Sequence, residues 1–137
     1  MSVIKFRIQA DNQNDFVREV EIRSDQTFKD LHDFIVSNQK LNGNELASFH
    51  IADKNWEKEQ EITLIDMSGD FDKNVNDDDV VKTFFVMADT PIHQFISQID
   101  QKLIYEYDFL QIRTFLLEVA EILPENKKHK YPRLVFS

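Results

Sequence analysis

At 137 residues, 42% of them hydrophobic and twelve of them Phe, the chain has the length of one domain and enough apolar volume to fill a core without staples. It contains no cysteine, which excludes disulfides, thiolate catalysis and cysteine-ligated zinc or iron–sulfur sites. The formal charge of −9 is uneven: from Pro124 onward Lys127, Lys128, Lys130 and Arg133 oppose only Glu125, so that end is +3 and residues 1–123 are −12, a balance that disfavours contact with a phosphate backbone.

In "VIKFRIQA", residues 3–10, Ile4, Phe6 and Ile8 alternate with Lys5, Arg7 and Gln9, the period of a half-buried strand. The same charges break any apolar segment of signal-peptide type, and no apolar run approaches membrane-spanning length, so a cytoplasmic protein with no membrane partner is expected. "DNQND" (11–15) reads as a polar turn, and "FVREVEIR" (16–23) alternates again through Phe16, Val20 and Ile22, which suggests an antiparallel hairpin. Thr27 with Asp30 has the spacing of a capping box, with Asp replacing the usual Glu. Phe28, Leu31, Phe34 and Ile35 then mark a helix that ends at "LNGN", where Gly43 suits a C-terminal cap. "ELASFHIAD" (45–53) and "EITLI" (61–65) read as a third and fourth strand, with "KNWEKEQ" between them as a charged loop or hairpin tip.

Residues 66–79, "DMSGDFDKNVNDDD", hold six aspartates and one cation, Lys73, and read as irregular. "VKTFFVM" (81–87) reads as a strand. Thr90 as N-cap and Pro91 at the first helical position predict a second helix, with Ile92, Phe95, Ile96 and Ile99 as its apolar stripe. "KLIYEYDF" puts Leu103, Tyr105, Tyr107 and Phe109 on one face of a strand. "RTFLLEVAEIL" follows a turn near Leu110–Gln111 and puts Phe115, Leu117 and Val119 on one face, with Leu116, Ala120 and Ile122 on the other. "RLVF" can add a short edge strand. The expected fold is an α+β domain over residues 1–123, with a mixed, largely antiparallel sheet and two main helices packed on one face. Residues 124–137 are expected to form a basic C-terminal tail or edge segment.

"DFDKNVNDDDVV" starts like a calcium loop with Asp70, Asp72 and Asn74, but Val75 stands where the turn needs Gly and Val81 where the ion needs a bidentate Glu. A solvated acidic loop with at most weak cation binding is the simpler reading. Of His32, His50, His93 and His129, no two share a helical i, i+3 or i+4 spacing. His32 reads as a buried, hydrogen-bonded imidazole or a general base; His50 falls on the polar side of its strand. With Gly43 and Gly69 as the only glycines, phosphate-cradling and dinucleotide motifs are excluded, and no serine sits in a nucleophile elbow. In "YEYDF", Glu106 and Asp108 fall about 7 Å apart on one face. Such a pair can divide acid and base roles, yet the simpler reading sends both to water, with Arg113 as a cross-strand partner for either.

Three segments carry a resemblance. Thr27, Phe28, Leu31 and His32 form a Thr-Phe-x-x-Leu-His helix start; Phe49 is a strand aromatic; and Tyr105, Tyr107, Asp108 and Phe109 form a Tyr-x-Tyr-Asp-Phe strand. In this order and spacing, over residues 3 to 123, they resemble the plasmid pRiA ORF-three-like family, also described as an insertion-element passenger of TnpR-like type. The resemblance implies a fold and a link to mobile elements, with no settled activity. The family's Gly-Asp-x-Trp-x-His continuation is replaced here by Leu110 to Phe115, and its His-Leu pair by Glu45-Leu46. If that segment builds a polar site, this branch lacks it.

The leading expectation is therefore a small acidic, non-catalytic interaction module whose partner is a basic protein or peptide. No cofactor, no metal and no catalytic residue is assigned. The alternatives are an accessory protein of a mobile genetic element, acting through "KKHKYPR", and an enzyme with a site around His32, Tyr107 and Asp108. The oligomeric state stays open.

Overall fold

The computed structural model describes residues 2–10, 17–38, 46–65, 85–109 and 111–136, the side chains of residues 108, 109, 111, 112 and 136 aside. Period-two alternation dominates these segments, and it builds an eight-stranded sheet. The strands are β1 (Ser2–Ala10), β2 (Val17–Arg23), β3 (Leu46–Ala52), β4 (Lys58–Thr63), β5 (Phe85–Val86), β6 (Lys102–Phe109), β7 (Gln111–Pro124) and β8 (Arg133–Phe136). Their spatial order is β5-β4-β3-β6-β7-β1-β2-β8. All neighbours pair antiparallel except β4 and β5, which are parallel.

Helix α1 (Phe28–Asn38) packs on one face of the sheet. Its start is set by the capping box: the Thr27 N–H donates to Asp30 Oδ2 at 2.9 Å, and the Asp30 N–H donates to Thr27 Oγ1 at 3.2 Å. Phe28, Leu31, His32 and Ile35 turn inward at helical spacing. Beneath them a single register row crosses the sheet: Ile62, Phe49, Tyr105, Phe115 and Ala10 lie side by side on β4, β3, β6, β7 and β1. Phe49 and Tyr105 stack with ring centroids 4.7 Å apart, and Phe28 meets Phe49 at 5.4 Å. Each such pair adds about 0.5–1.5 kcal/mol to what area burial supplies.

The expected two-helix α+β arrangement does not form. The fold is sheet-dominated, and α1 is the one α-helix among the described residues. The segment predicted as a second helix makes a 3-10 turn at Ile92–Gln94 instead, preceded by another at Met87–Asp89. The reason is where its backbone hydrogen bonds go. The Thr90 carbonyl accepts from Phe28 N, while Ile92 N and His93 N donate to the carbonyls of Gln26 and Ser24, at 3.0, 2.8 and 2.9 Å. Thr90 does not cap forward; its Oγ1 donates back to the Val86 carbonyl at 2.8 Å. Ile92 and Ile96 still reach the core and Phe95 packs against it, whereas Ile99 is 57% exposed.

Other boundaries shift for local reasons. Strand β4 starts at Lys58, earlier than its apolar residues indicate, and a register irregularity at Ile51/Ala52 accommodates it. A second irregularity, at Lys5/Phe6, leaves Ala120 as an extra residue on β7. That bulge brings Ile122 back to the core side with Val119, reversing the face that strict alternation assigns it. Of the stretch 81–87, β5 accounts for Phe85–Val86. The turn at 11–15, the Gly43 cap and the aspartate loop 66–79 lie outside the described residues.

Candidate functional site

The face of the sheet opposite α1 collects the charged residues of the alternating strands. Its centre is built by β3, β4 and β6. Ser48 and His50 flank the core residue Phe49, and Glu106 sits between the core residues Tyr105 and Tyr107, so all three project to the open face. Register places Ser48 beside Glu106 and His50 beside Glu61. The His50 Nε2 lies 2.9 Å from Glu106 Oε1 and 4.0 Å from Glu61 Oε2. Lys58 Nζ donates to Glu106 Oε2 at 3.0 Å. His50 is 8% exposed, unusually covered for an imidazole on an open sheet face.

Ser48, His50 and Glu106 are the residue types of a nucleophilic triad, but they are not arranged as one. Ser48 Oγ is 3.1 Å from Nε2, the same nitrogen that meets Glu106. A relay needs the acid on one ring nitrogen and the hydroxyl on the other. A carboxylate only accepts, so Nε2 carries its proton towards Glu106 and has no lone pair with which to activate Ser48. The cluster works as a cross-strand tie.

Towards β8 a second cluster forms. Glu21, 7% exposed, accepts from Arg133 Nη1 at 2.8 Å. Lys5 Nζ reaches Glu121 at 2.9 Å and Glu21 at 4.0 Å. The hydrogen bond to Glu121 holds the Lys5 ammonium above its ordinary range, against a smaller opposing effect of burial. β8 is further fastened by Gln26 Nε2, which donates to the Tyr131 carbonyl at 2.8 Å.

At the β3–β4 hairpin tip, Asp53 Oδ1 accepts from the N–H groups of Asn55 and Glu57 at 2.8 and 3.0 Å. This turn holds Trp56 at φ 65°, a left-handed conformation that costs a bulky residue about 1–2 kcal/mol. The Trp56 ring receives Lys102 Nζ at 5.1 Å from its centroid, and the same ammonium lies 3.3 Å from Glu118 Oε1.

The enzyme alternative named His32, Tyr107 and Asp108. Helix α1 presses His32 onto β6, where its Nδ1 meets Tyr105 OH, not Tyr107, at 2.7 Å. Both partners are covered, His32 at 2% exposure and Tyr105 at 0%. Burial depresses the His32 pKa and raises that of the Tyr105 phenol far above its usual range. The phenol thus keeps its proton and donates it to a neutral imidazole. Tyr107 is buried on the same strand face, and Asp108 is described through its backbone, paired with Leu46 and Ile112. Arg113 does not take the role of partner to Glu106, which Lys58 and His50 engage; its guanidinium lies 5.6 Å from the Phe115 ring centroid.

His93 and His129 are exposed. Among the described residues no group of three His, Asp or Glu is placed to hold a metal ion, and no helix is long and apolar enough to cross a membrane. Sequence reading put His50 on the polar side of its strand but missed its tie to Glu106. The pairing of β3 with β6 creates that contact, and these strands lie far apart in the chain.

The sequence profile of the family described as plasmid pRiA4b ORF-3-like protein matches residues 2–136. No curated protein matches the chain. Among solved structures, the crystal structure of a protein of unknown function from Methanosarcina mazei Go1 superposes with a TM-score of 0.74 at 14% identity, over 98% of this chain and 67% of that one. That likeness is one of fold.

Proposed function

The chain belongs to the plasmid pRiA4b ORF-3-like family, and on that footing we propose that it is a non-catalytic interaction module of the cytoplasm that engages a basic protein or peptide. The observation that carries this reading is the single nitrogen of His50 shared by Ser48 and Glu106. The most enzyme-like constellation of the sheet face is committed to structure, and what remains is a paired-charge surface on a body of net charge −9. A charge of that size steers cationic partners and repels anionic ones, with strong dependence on salt.

The test is calorimetric titration with a lysine- and arginine-rich peptide and, separately, a glutamate-rich peptide of equal length, at low and high salt. Binding of the basic peptide alone, weakened at high salt, supports the reading. No binding of the basic peptide at low salt, or equal binding of both, overturns it.

A second reading, an accessory of a mobile element, is favoured by the plasmid in the family's description. Lys127, Lys128 and Lys130 are exposed and available to phosphate, whereas Arg133 is taken by Glu21. A mobility shift of duplex DNA at low salt, abolished by replacing those three lysines with Ala, would select this reading over the first.

A further inference from the structure

The hairpin tip offers a more specific surface. Trp56 is placed in a backbone region that suits Gly or Asn, by a turn whose hydrogen bonds Asp53 supplies. Strain of this kind, held by its surroundings, points to a use for the ring. The ring stands where β3 and β6 meet, with Lys102 paired to Ala52 and to Glu118 across the strands. Lys102 Nζ sits within cation–π range of Trp56, at 5.1 Å, and 3.3 Å from the Glu118 carboxylate. An aromatic face and a carboxylate converging on one point is the chemistry that recognises a cationic side chain, and here the cation is the chain's own.

We propose that Trp56 and Glu118 form a cation-binding site that Lys102 occupies in the free protein, and that an arginine of a basic partner displaces Lys102 from it. This deepens the interaction reading above and rests on it. The Glu118 side chain is 41% exposed and Trp56 is partly exposed, so both are open to a partner, while the Lys102 side chain is 15% exposed. A guanidinium has the advantage over the resident ammonium. It is planar and weakly hydrated, stacks on indole, and meets a carboxylate through two parallel N–H donors. Arg7 lies opposite Glu118 in the β1–β7 register.

Trp56 is the one tryptophan of the chain, so its emission reports on this site. The experiment titrates an arginine-rich peptide into the wild type, Lys102→Met and Glu118→Gln, following tryptophan fluorescence and calorimetry in parallel at low salt. The expected result is a change in Trp56 emission on binding, an affinity about three- to five-fold higher for Lys102→Met, and a weaker complex for Glu118→Gln. The gain with Lys102→Met cannot come from misfolding. Calorimetric binding with no change in emission and no gain for Lys102→Met overturns this site and leaves the interaction module standing. No calorimetric binding to any of the three proteins overturns both.

Discussion

Replacing Tyr105 by Phe removes one oxygen atom and isolates the buried His32–Tyr105 contact. The ring of Phe keeps the place of the phenol against Phe49 at 4.7 Å and Phe115 at 6.1 Å, so packing changes little. The His32 Nδ1 loses its partner at 2.7 Å in a site where His32 is 2% exposed. An acceptor stranded in that way costs about 1–3 kcal/mol. For a domain of this length each kcal/mol moves the midpoint by about 4 °C, so Tyr105→Phe is expected to melt about 4–12 °C lower. His32→Leu strands the phenol and should cost a similar amount. The double variant His32→Leu/Tyr105→Phe replaces both polar groups and should lose much less than the sum of the singles. Urea and thermal unfolding followed by circular dichroism supply all four corners of the cycle. A Tyr105→Phe loss below about 0.5 kcal/mol, or strict additivity in the double variant, would refute the assignment of a buried, energetically coupled pair.

The same imidazole sets a pH dependence. His32 is depressed in the fold, so below the unfolded pKa of about 6.5 the unfolded chain takes up a proton that the fold refuses. Wild-type stability should therefore fall as pH drops below about 6.5, by up to about 1.4 kcal/mol per unit, relative to His32→Asn, which has no proton to take up; parallel curves would show that His32 titrates freely in the fold. Arg133→Met leaves the Glu21 carboxylate, whose side chain is 9% exposed, with Lys5 at 4.0 Å as its remaining cation. With Arg133 itself a third exposed, a loss of about 1–2 kcal/mol in urea unfolding is expected, largely recovered by adding Glu21→Gln; an unchanged midpoint would mean that the pair is screened by water. Thr27→Ala removes the hydroxyl half of the capping box and should cost about 1 kcal/mol, with faster amide exchange in the first turn of α1, whereas exchange unchanged there would place the start of the helix under tertiary control alone.

Elements that depend on neighbours in sequence were legible, and elements that depend on distant partners were not. Alternation located β1, β2, β3, β6 and β7, because each buries one face, and the capping box of Thr27 and Asp30 located α1. The helical spacing of Ile92, Phe95 and Ile96 correctly marked residues that turn to the core and wrongly implied a helix. Three backbone hydrogen bonds to residues 24–28 hold that segment in another shape, and no local pattern encodes them. Strand β4 begins in the polar run Lys58–Gln60, which has no period to betray it. The Ala120 bulge is equally silent, since one extra residue changes the face of Ile122 without changing composition.

The stretch "YEYDF" acquires its meaning from both sides of the sheet. Tyr105 and Glu106 are consecutive on β6, so they face opposite ways, and each receives an imidazole. His32 comes down from α1 onto Tyr105 in the core, and His50 comes across from β3 onto Glu106 on the open face. One strand thus separates two histidines by environment. The core-side imidazole is kept neutral by burial against a phenol that does not ionise. The outer one is tied to a carboxylate that Lys58 also holds. Neither arrangement sets a carboxylate and a hydroxyl on opposite ring nitrogens, as a nucleophilic relay does. Residue types alone allowed acid and base roles for Glu106 and Asp108 on this strand. The pairing of β6 with β3 on one side and its cover by α1 on the other turn Glu106 and Tyr105 into a cross-strand tie and a tie between sheet and helix.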